Sequence, residues 1–439
     1  MNKERIKTFL LDFQKKKLSN VRKRELTLGN TLKIQTIIGA RRTGKTYLLY
    51  NKILELEERG VSRNRMIYLN FENPIIDDVS YKEIKDIIEL HWQIFPEIIN
   101  KKFFLFIDEP QVIDKWESAI RSIYDDFNIS IFLTGSSSRL LSKEIATSLR
   151  GRSLTTVLLP LSFNEFLSFK NFSFDLNKLN TPNKVKIKKY FDEFLQFGSY
   201  PEIVLEDDNN EKIKIAKDYF DLTVYKDIID RYNIKNTNLI KLLIDLIISS
   251  CSKEFSINKH FLDLKSRGLK LAKNTLYEYF SALEDSFFVF PLKRFYHSKK
   301  SENLSIPKVY LGDVGFLNLF SLDNFGQRFE NIIFLDILRK KNKNHLLKIN
   351  YWRSDRGGEV DFVLSQGGKV KTAIQACFNL NDLDTKKREI KGLQMCMEEL
   401  KLKEGIIITN DFEAEEKIKD KKIKFIPAWK WLLLDSNDF

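Results

Sequence analysis

The sequence predicts an α/β protein built on a parallel sheet, and three stretches carry that prediction. A mostly apolar run, Leu32 to Ile38, leads into Gly39-Ala40-Arg41-Arg42-Thr43-Gly44-Lys45-Thr46, after which Tyr47-Leu48-Leu49 continues at helical spacing. Phe103 to Ile107 is apolar at every position and closes on Asp108-Glu109. Ile129 to Leu133 repeats that shape before Thr134-Gly135-Ser136. Strands apolar on both faces belong in a parallel sheet covered by helices. In such sheets the ligand sits at the carboxyl ends of the strands.

The first stretch has the form G-x-x-x-x-G-K-T between a strand and a helix, which is the phosphate loop of a nucleotide site. Gly39, Ala40, Arg41, Arg42, Thr43 and Gly44 offer backbone N–H groups to phosphate. Lys45 supplies charge for the β- and γ-phosphates of a nucleoside triphosphate, and the Thr46 hydroxyl is expected on Mg²⁺. Asp108 is the expected second Mg²⁺ group, and Glu109 is placed to orient or deprotonate the attacking water. Thr134, with Ser136 and Ser137, ends the next strand, where a polar side chain reaches the water or the γ-phosphate. Leu149-Arg150-Gly151-Arg152 brings an arginine to neutralise transition-state charge, in cis or from a neighbouring subunit. The sequence does not choose between Arg150 and Arg152.

At 439 residues the chain has room for two or three domains. Hydrophobic content of 43% with 30% charged residues is that of a folded globular protein. The three cysteines are far apart with no C-x-x-C pair and the four histidines are scattered, which argues against a disulfide framework or a thiolate zinc site. A charged start, Met1 to Arg5, and the lack of any apolar run near membrane-spanning length predict a cytoplasmic protein without a membrane partner. The net charge of +13 suits a polyanion such as DNA, against the plainer reading of a lysine-coated surface.

Taken in order, Ile6, Phe9, Leu10 and Phe13 share one face of a lead-in helix. The helix after the phosphate loop stops at Gly60, Met66 to Phe71 is a second strand, and Tyr81 to Phe95 a helix. Leu154 to Leu159 reads as one more strand. From about 161 the pattern turns to Leu/Phe/Lys helices, broken by Gly198-Ser199-Tyr200-Pro201. Two helices about Arg267-Gly268, followed by aromatic strands Phe287–Phe290 and Leu292–Tyr296, outline a winged helix-turn-helix. Its second helix would present Lys273, Asn274 and Tyr277 to DNA, with Lys293 and Arg294 on a phosphate-contacting wing.

From about 305 a second α/β unit is expected. A helix from Gln327 to Lys340 carries Glu330, and strand residues 359–363 carry Glu359 and Asp361. The adjacent strand carries Gln375 and Cys377. Helix acid, strand-end acid and neighbouring strand form the plan of a metal-dependent nuclease. The positions that should hold an acid and a lysine hold Gln375 and Cys377 instead, with Lys371, Lys386 or Lys387 as stand-ins, so an inactive or binding-only domain is favoured.

With these residues placed, the chain resembles a family of bacterial and archaeal AAA-like P-loop ATPases with a C-terminal domain of unknown function. The resemblance rests on the motifs at 39–46, 106–111, 133–138, 149–152 and 160–166, and continues through those at 198–202, 225–236, 308–318, 351–363 and 426–433. It implies an AAA-like P-loop NTPase domain (1–165), a helical and winged-helix middle (166–300) and a degenerate restriction-endonuclease-like domain (301–439). It further implies ATP hydrolysis, self-association as a homo-oligomer, and Glu330 and Asp361 as the nuclease-like acids. The expected function is a Mg²⁺-dependent, ATP-driven switch acting with DNA. Its rivals are an ATP-regulated DNA endonuclease and a scaffold or sensor that binds ATP and oligomerises.

Overall fold

In the computed structural model, residues 2–29, 31–137, 149, 151–320, 324–380 and 382–434 are described, and the chain divides into two units, 1–158 and 159–439. Arg150 lies outside the described residues.

The first unit is organised by one sheet: β1 (Ile34–Ile38), β2 (Met66–Asn70), β3 (Phe103–Asp108), β4 (Ile129–Gly135) and β5 (Ser153–Val157). Their order is β2-β3-β4-β1-β5 and every pairing is parallel. β1, β3 and β4 are buried along their whole length, as expected of strands covered on both faces. Phe106 and Phe132, on adjacent strands, stack with ring centroids 4.9 Å apart. Helices Lys45–Glu58, Ile84–Ile94 and Trp116–Asp126 alternate with the strands. The lead-in helix, Lys3–Lys15, buries Ile6, Phe9, Leu10 and Phe13, the face its spacing predicts.

The second unit begins with helices, among them Phe163–Phe169, Thr181–Phe197, Asn209–Leu222 and Thr237–Ser249. Gly198 between them is required by its surroundings. Its φ is +79°, and a Cβ there would lie 1.8 Å from Asp313 Oδ1. Asp313 in turn accepts from Ser199 N and Oγ at 2.8 and 2.9 Å and from Gly315 N at 2.7 Å.

Next come β6 (Lys253–Glu254), helices Ile257–Ser266 and Lys273–Asp285, β7 (Val289–Leu292) and β8 (Lys308–Leu311). The three strands pair antiparallel in the order β6-β8-β7. The expected strand pair 287–290 and 292–296 is corrected here. It is one strand, and its partner is β8. Residues after Leu292 are held elsewhere: Phe295 N donates to Tyr351 O at 2.6 Å, and Tyr351 N to Lys293 O at 3.1 Å. Lys293 Nζ donates to Asn303 at 3.0 Å, and Arg294 pairs with Asp355 at 3.2 Å. These two cations therefore do not sit on a hairpin wing.

The last sheet has six strands, β9 (Leu347–Arg353), β10 (Glu359–Gln366), β11 (Lys369–Cys377), β12 (Glu404–Thr409), β13 (Ala414–Ile418) and β14 (Lys421–Pro427), in the order β13-β14-β12-β11-β10-β9. β11, β12 and β14 run parallel, and the remaining pairings are antiparallel. Alternation, shifted once by a register irregularity between Val360 and Val363 of β10, splits its side chains between two cores. Phe362, Leu364, Ile374, Ile406 and Ile408 pack in the cluster that includes Ile333 and Ile337 of helix Phe325–Lys343. Val360, Val363, Ala373 and Ile407 pack with Leu393, Cys396 and Met397 of helix Leu383–Glu399. All three cysteines are buried and free. Among the described residues no helix is long and apolar enough to cross a membrane.

Candidate functional site

Parallel pairing brings Ile38, Asp108 and Gly135 to one edge of the first sheet, so the phosphate loop and the two acids converge from separate strands. The loop is held against that edge by Gly39 N donating to Gly135 O at 3.3 Å. Glycine is needed at 39 because a Cβ would stand 2.2 Å from the Leu158 carbonyl oxygen. Gly44, at φ +94°, turns the chain into helix Lys45–Glu58. Thr43 is fully buried and its hydroxyl donates to Ala40 O at 2.9 Å, which pins the loop from inside. Arg24 Nη1 holds the Thr43 carbonyl at 2.7 Å, and Arg41 pairs with Glu72 at 2.9 Å.

Lys45 Nζ donates to the carbonyls of Gly39 and Ala40, both at 3.0 Å, and stands 3.6 Å from Glu109. Asp108 is buried and accepts from three hydroxyls: Thr46, Thr134 and Tyr68, the last at 3.1 Å. Burial pushes the Asp108 carboxyl up, with Thr134 and Thr46 opposing. Burial and Asp108 together push Tyr68 up, so its phenol remains a donor. Glu109 follows at φ +52°, a left-handed conformation that carries a strain cost for a non-glycine residue. Its carboxylate accepts from Ser136 N and Oγ at 3.1 and 3.0 Å and from Gln111. Burial would raise Glu109, but Lys45, Gln111, Arg41 and Ser136 hold it below the usual carboxylate range. It is therefore ionised at neutral pH.

The structure gathers Gly39 to Thr46, Asp108, Glu109 and Thr134 in one place. Thr134 is turned to Asp108, and its Oγ also faces Glu109 N at 3.4 Å, so it braces the acids from beneath. Tyr68 and Gln111 are additions; a tyrosine on the neighbouring strand, in register two residues before Asn70↔Asp108, is the signal that marks the first. Arg152 is not gathered. Its carbonyl accepts from Ile34 N at the start of β1, and its guanidinium pairs with Asp125 at 3.0 Å. That is the amino edge of the sheet, a strand length from the loop, about 16 Å. A cis role for Arg152 at the phosphates is therefore corrected.

A second cluster lies in the second unit and lines a cavity of about 820 Å³. Glu330, Glu359 and Asp361 converge there. Their centre is Lys308 of β8, whose Nζ stands 3.1 Å from Glu330, 2.7 Å from Glu359 and 2.8 Å from Asp361. Of the predicted stand-ins, Lys386 pairs with Glu416 at 2.8 Å, and Lys387 lies on the cavity wall. Lys308 shares a strand face with Tyr310, but all four residues of β8 are buried, so no local pattern marks it. Gln375 accepts from Asp361 N at 3.2 Å and donates to Glu389 at 2.6 Å. Burial and Asp361 push the Glu330 carboxyl up to about 8 against the pull of Lys308 and Tyr310. Lys308 stays charged, because Asp361 and Glu330 outweigh the desolvation that would lower it. Burial also pushes the Cys377 thiol up to about 12, so it supplies no charge.

Lys273, Asn274 and Tyr277 are exposed together on helix Lys273–Asp285, with Lys273 Nζ 5.9 Å from the Tyr277 ring centroid.

Strand, glycine loop and helix on a parallel sheet, with paired acids at the end of β3, define a nucleotide-binding domain of the P-loop ATPase class. Residues 31–167 match an AAA domain family, AAA_14. Residues 188–327 and 325–431 match two domains of unknown function, DUF8612 and DUF4143. The chain belongs to the family of Uncharacterized protein MJ1544 of Methanocaldococcus jannaschii, with which it is 39% identical over 415 residues, 91% of this chain and 88% of the relative. It is also similar to an uncharacterized protein of Haemophilus influenzae, 26% identical over 400 residues, 90% of this chain and 94% of that one. Among solved structures it is similar to the Aeropyrum pernix Orc1 protein in complex with DNA, at 13% identity and a TM-score of 0.29, covering 74% of this chain and 92% of that one.

Proposed function

We propose that the first unit binds ATP with Mg²⁺ and hydrolyses it, and that hydrolysis drives a conformational switch acting with DNA. The observation that carries this reading is Glu109, ionised and fixed by Ser136 and Lys45 beside the phosphate loop. Binding alone has no use for a strained acid held at that place; hydrolysis needs one to orient and deprotonate water.

The donor set fits Mg²⁺. Thr46 and Asp108 are hard oxygen donors already within hydrogen-bond distance, and Mg²⁺ takes one or two protein oxygens beside water and phosphate. When bound, the ion offsets charge on the β- and γ-phosphate oxygens. Backbone N–H groups of residues 40–46 and the helix N-terminus cradle the phosphates. Lys45 exchanges its two carbonyl partners for phosphate oxygens. Glu109 takes the proton of the attacking water, with Thr134 and Tyr68 keeping Asp108 in place.

In the second unit, the order helix, strand, two helices, strand, short helix (Lys299–Leu304), strand, with sheet order β6-β8-β7, supports a winged-helix reading of residues 237–311. Lys273, Asn274 and Tyr277 then form the DNA-facing surface. ATPase assays with and without double-stranded DNA test the coupling. The reading expects DNA to alter turnover, and expects alanine at Lys273 and Asn274 to remove that response while leaving DNA-free turnover intact. Turnover indifferent to DNA, with no salt-sensitive DNA binding, contradicts the DNA half of the proposal.

A further inference from the structure

The C-terminal carboxyl groups surround a cation, and that cation belongs to the chain itself. Lys308 has three ammonium hydrogens and three carboxyl partners on two elements: Glu330 from helix Phe325–Lys343, and Glu359 and Asp361 from β10. The rest of the site is committed as well. Tyr310 donates to Glu330 at 2.7 Å, and Ala376 N to Asp361 Oδ2 at 2.9 Å. Gln375 stands where the nuclease plan asks for an acid, and its amide is engaged at both ends, by Asp361 N and Glu389.

A metal-dependent nuclease needs Mg²⁺ among these acids, and the donor set does not fit one. The ion takes six oxygens at about 2.0–2.1 Å, whereas these oxygens are spaced around an N–H donor at hydrogen-bond distances. A divalent ion at the same point would face a buried ammonium at contact distance, a repulsion that low-dielectric surroundings make large. Among the described residues no group of three or more His, Cys, Asp or Glu side chains is arranged to hold a metal ion.

We infer that Lys308 permanently holds the cation position of this cleft, so that the native chain binds no divalent ion there and the cleft becomes a metal site only when the ammonium is removed. The remaining cavity wall includes Lys253, Arg356, Lys387, Arg388 and Lys391. The cleft is thus a lysine-filled pocket with a basic rim, and its carboxyl groups serve architecture. This inference concerns the second unit and stands or falls separately from ATP hydrolysis in the first.

The test is Mn²⁺ binding to the nucleotide-free full chain at pH 8, read by electron paramagnetic resonance of free Mn²⁺ and by thermal shift. Wild type and Asp361→Asn should bind Mn²⁺ alike. Lys308→Ala should gain one ion, held at least about tenfold more tightly than any ion at this cleft in the wild type. That ion should vanish in the Lys308→Ala, Asp361→Asn double variant. A wild-type ion lost on Asp361→Asn overturns the inference, as does a folded Lys308→Ala chain that gains none. Should Lys308→Ala fail to fold, the comparison of wild type with Asp361→Asn decides alone, because a displaceable Lys308 would show there as an Asp361-dependent ion.

Discussion

In the first unit Lys45 donates to two backbone carbonyls and stands 3.6 Å from one carboxylate; in the second, Lys308 touches three carboxyl groups at 2.7–3.1 Å. Both clusters combine a buried lysine with acids on strands, yet they are built for opposite ends. Lys45's closest partners are neutral and weak, so phosphate oxygens replace them at little cost. Lys308 is ion-paired in place, and removing it leaves buried acid uncompensated. Asp108 is held by three neutral hydroxyls and has no cation as its partner among the described residues, whereas Asp361 already has one in Lys308. A lysine and an acid in one cleft therefore indicate chemistry only when each is left something to bind.

Substitutions can break this contrast. The largest effect is expected from Glu109→Gln, which keeps the shape of the site and removes the base. Turnover should fall by about 10²–10⁴-fold while ATP binding persists; a fall in binding instead would make Glu109 a structural partner of Lys45. Next comes Lys308→Met, which strands the acids around it. Chemical denaturation should show a loss of about 3–5 kcal/mol in the stability of the second unit, and a change below 1 kcal/mol would mean that the ammonium is not the centre of the cluster.

Glu330 sharpens the comparison through pH. Its folded-state value of about 8 lies above its ordinary one, so between pH 5 and 8 the folded chain retains a proton that the unfolded chain has lost. Stability should accordingly decline as pH rises through that window, and the decline should be complete above pH 8. The groups facing it are Lys308, Asp361 and Tyr310. Glu330→Gln, neutral throughout, should flatten the dependence; urea midpoints at pH 5 and 8.5 that fall equally in both chains would contradict the account. The smallest effect is expected at Arg152. Its exposed pair with Asp125 is worth at most about 1 kcal/mol, and Arg152→Ala should leave ATP turnover within about twofold. A large loss would place this arginine at a nucleotide on another copy of the chain.

The phosphate loop, Asp108-Glu109 and the central strands were legible because local spacing encodes them: a loop of fixed length, and strands apolar on both faces. The face of the lead-in helix was legible for the same reason. What escaped depended on pairing between distant segments. β8 is only Lys308–Leu311, too short for periodicity to declare, and its place between β6 and β7 follows from tertiary packing. Residues 293–296 have strand-like composition, but their backbone groups find Tyr351, and composition does not say which partner a strand takes. Lys308 was missed because a nuclease plan looks for lysine on the strand after the acid, whereas this one arrives from an element some fifty residues earlier. The order of strands put Arg152 at the amino edge, and that order was likewise unreadable from the residues around it.

The central claim, that chemistry resides in the first cluster and architecture in the second, is tested most directly by phosphate release from ATP in wild type, Glu109→Gln and Asp361→Asn, with nucleotide binding measured on the same samples. The account predicts that Glu109→Gln binds ATP without turning it over, while Asp361→Asn turns it over at close to the wild-type rate. Wild-type turnover by Glu109→Gln would contradict it.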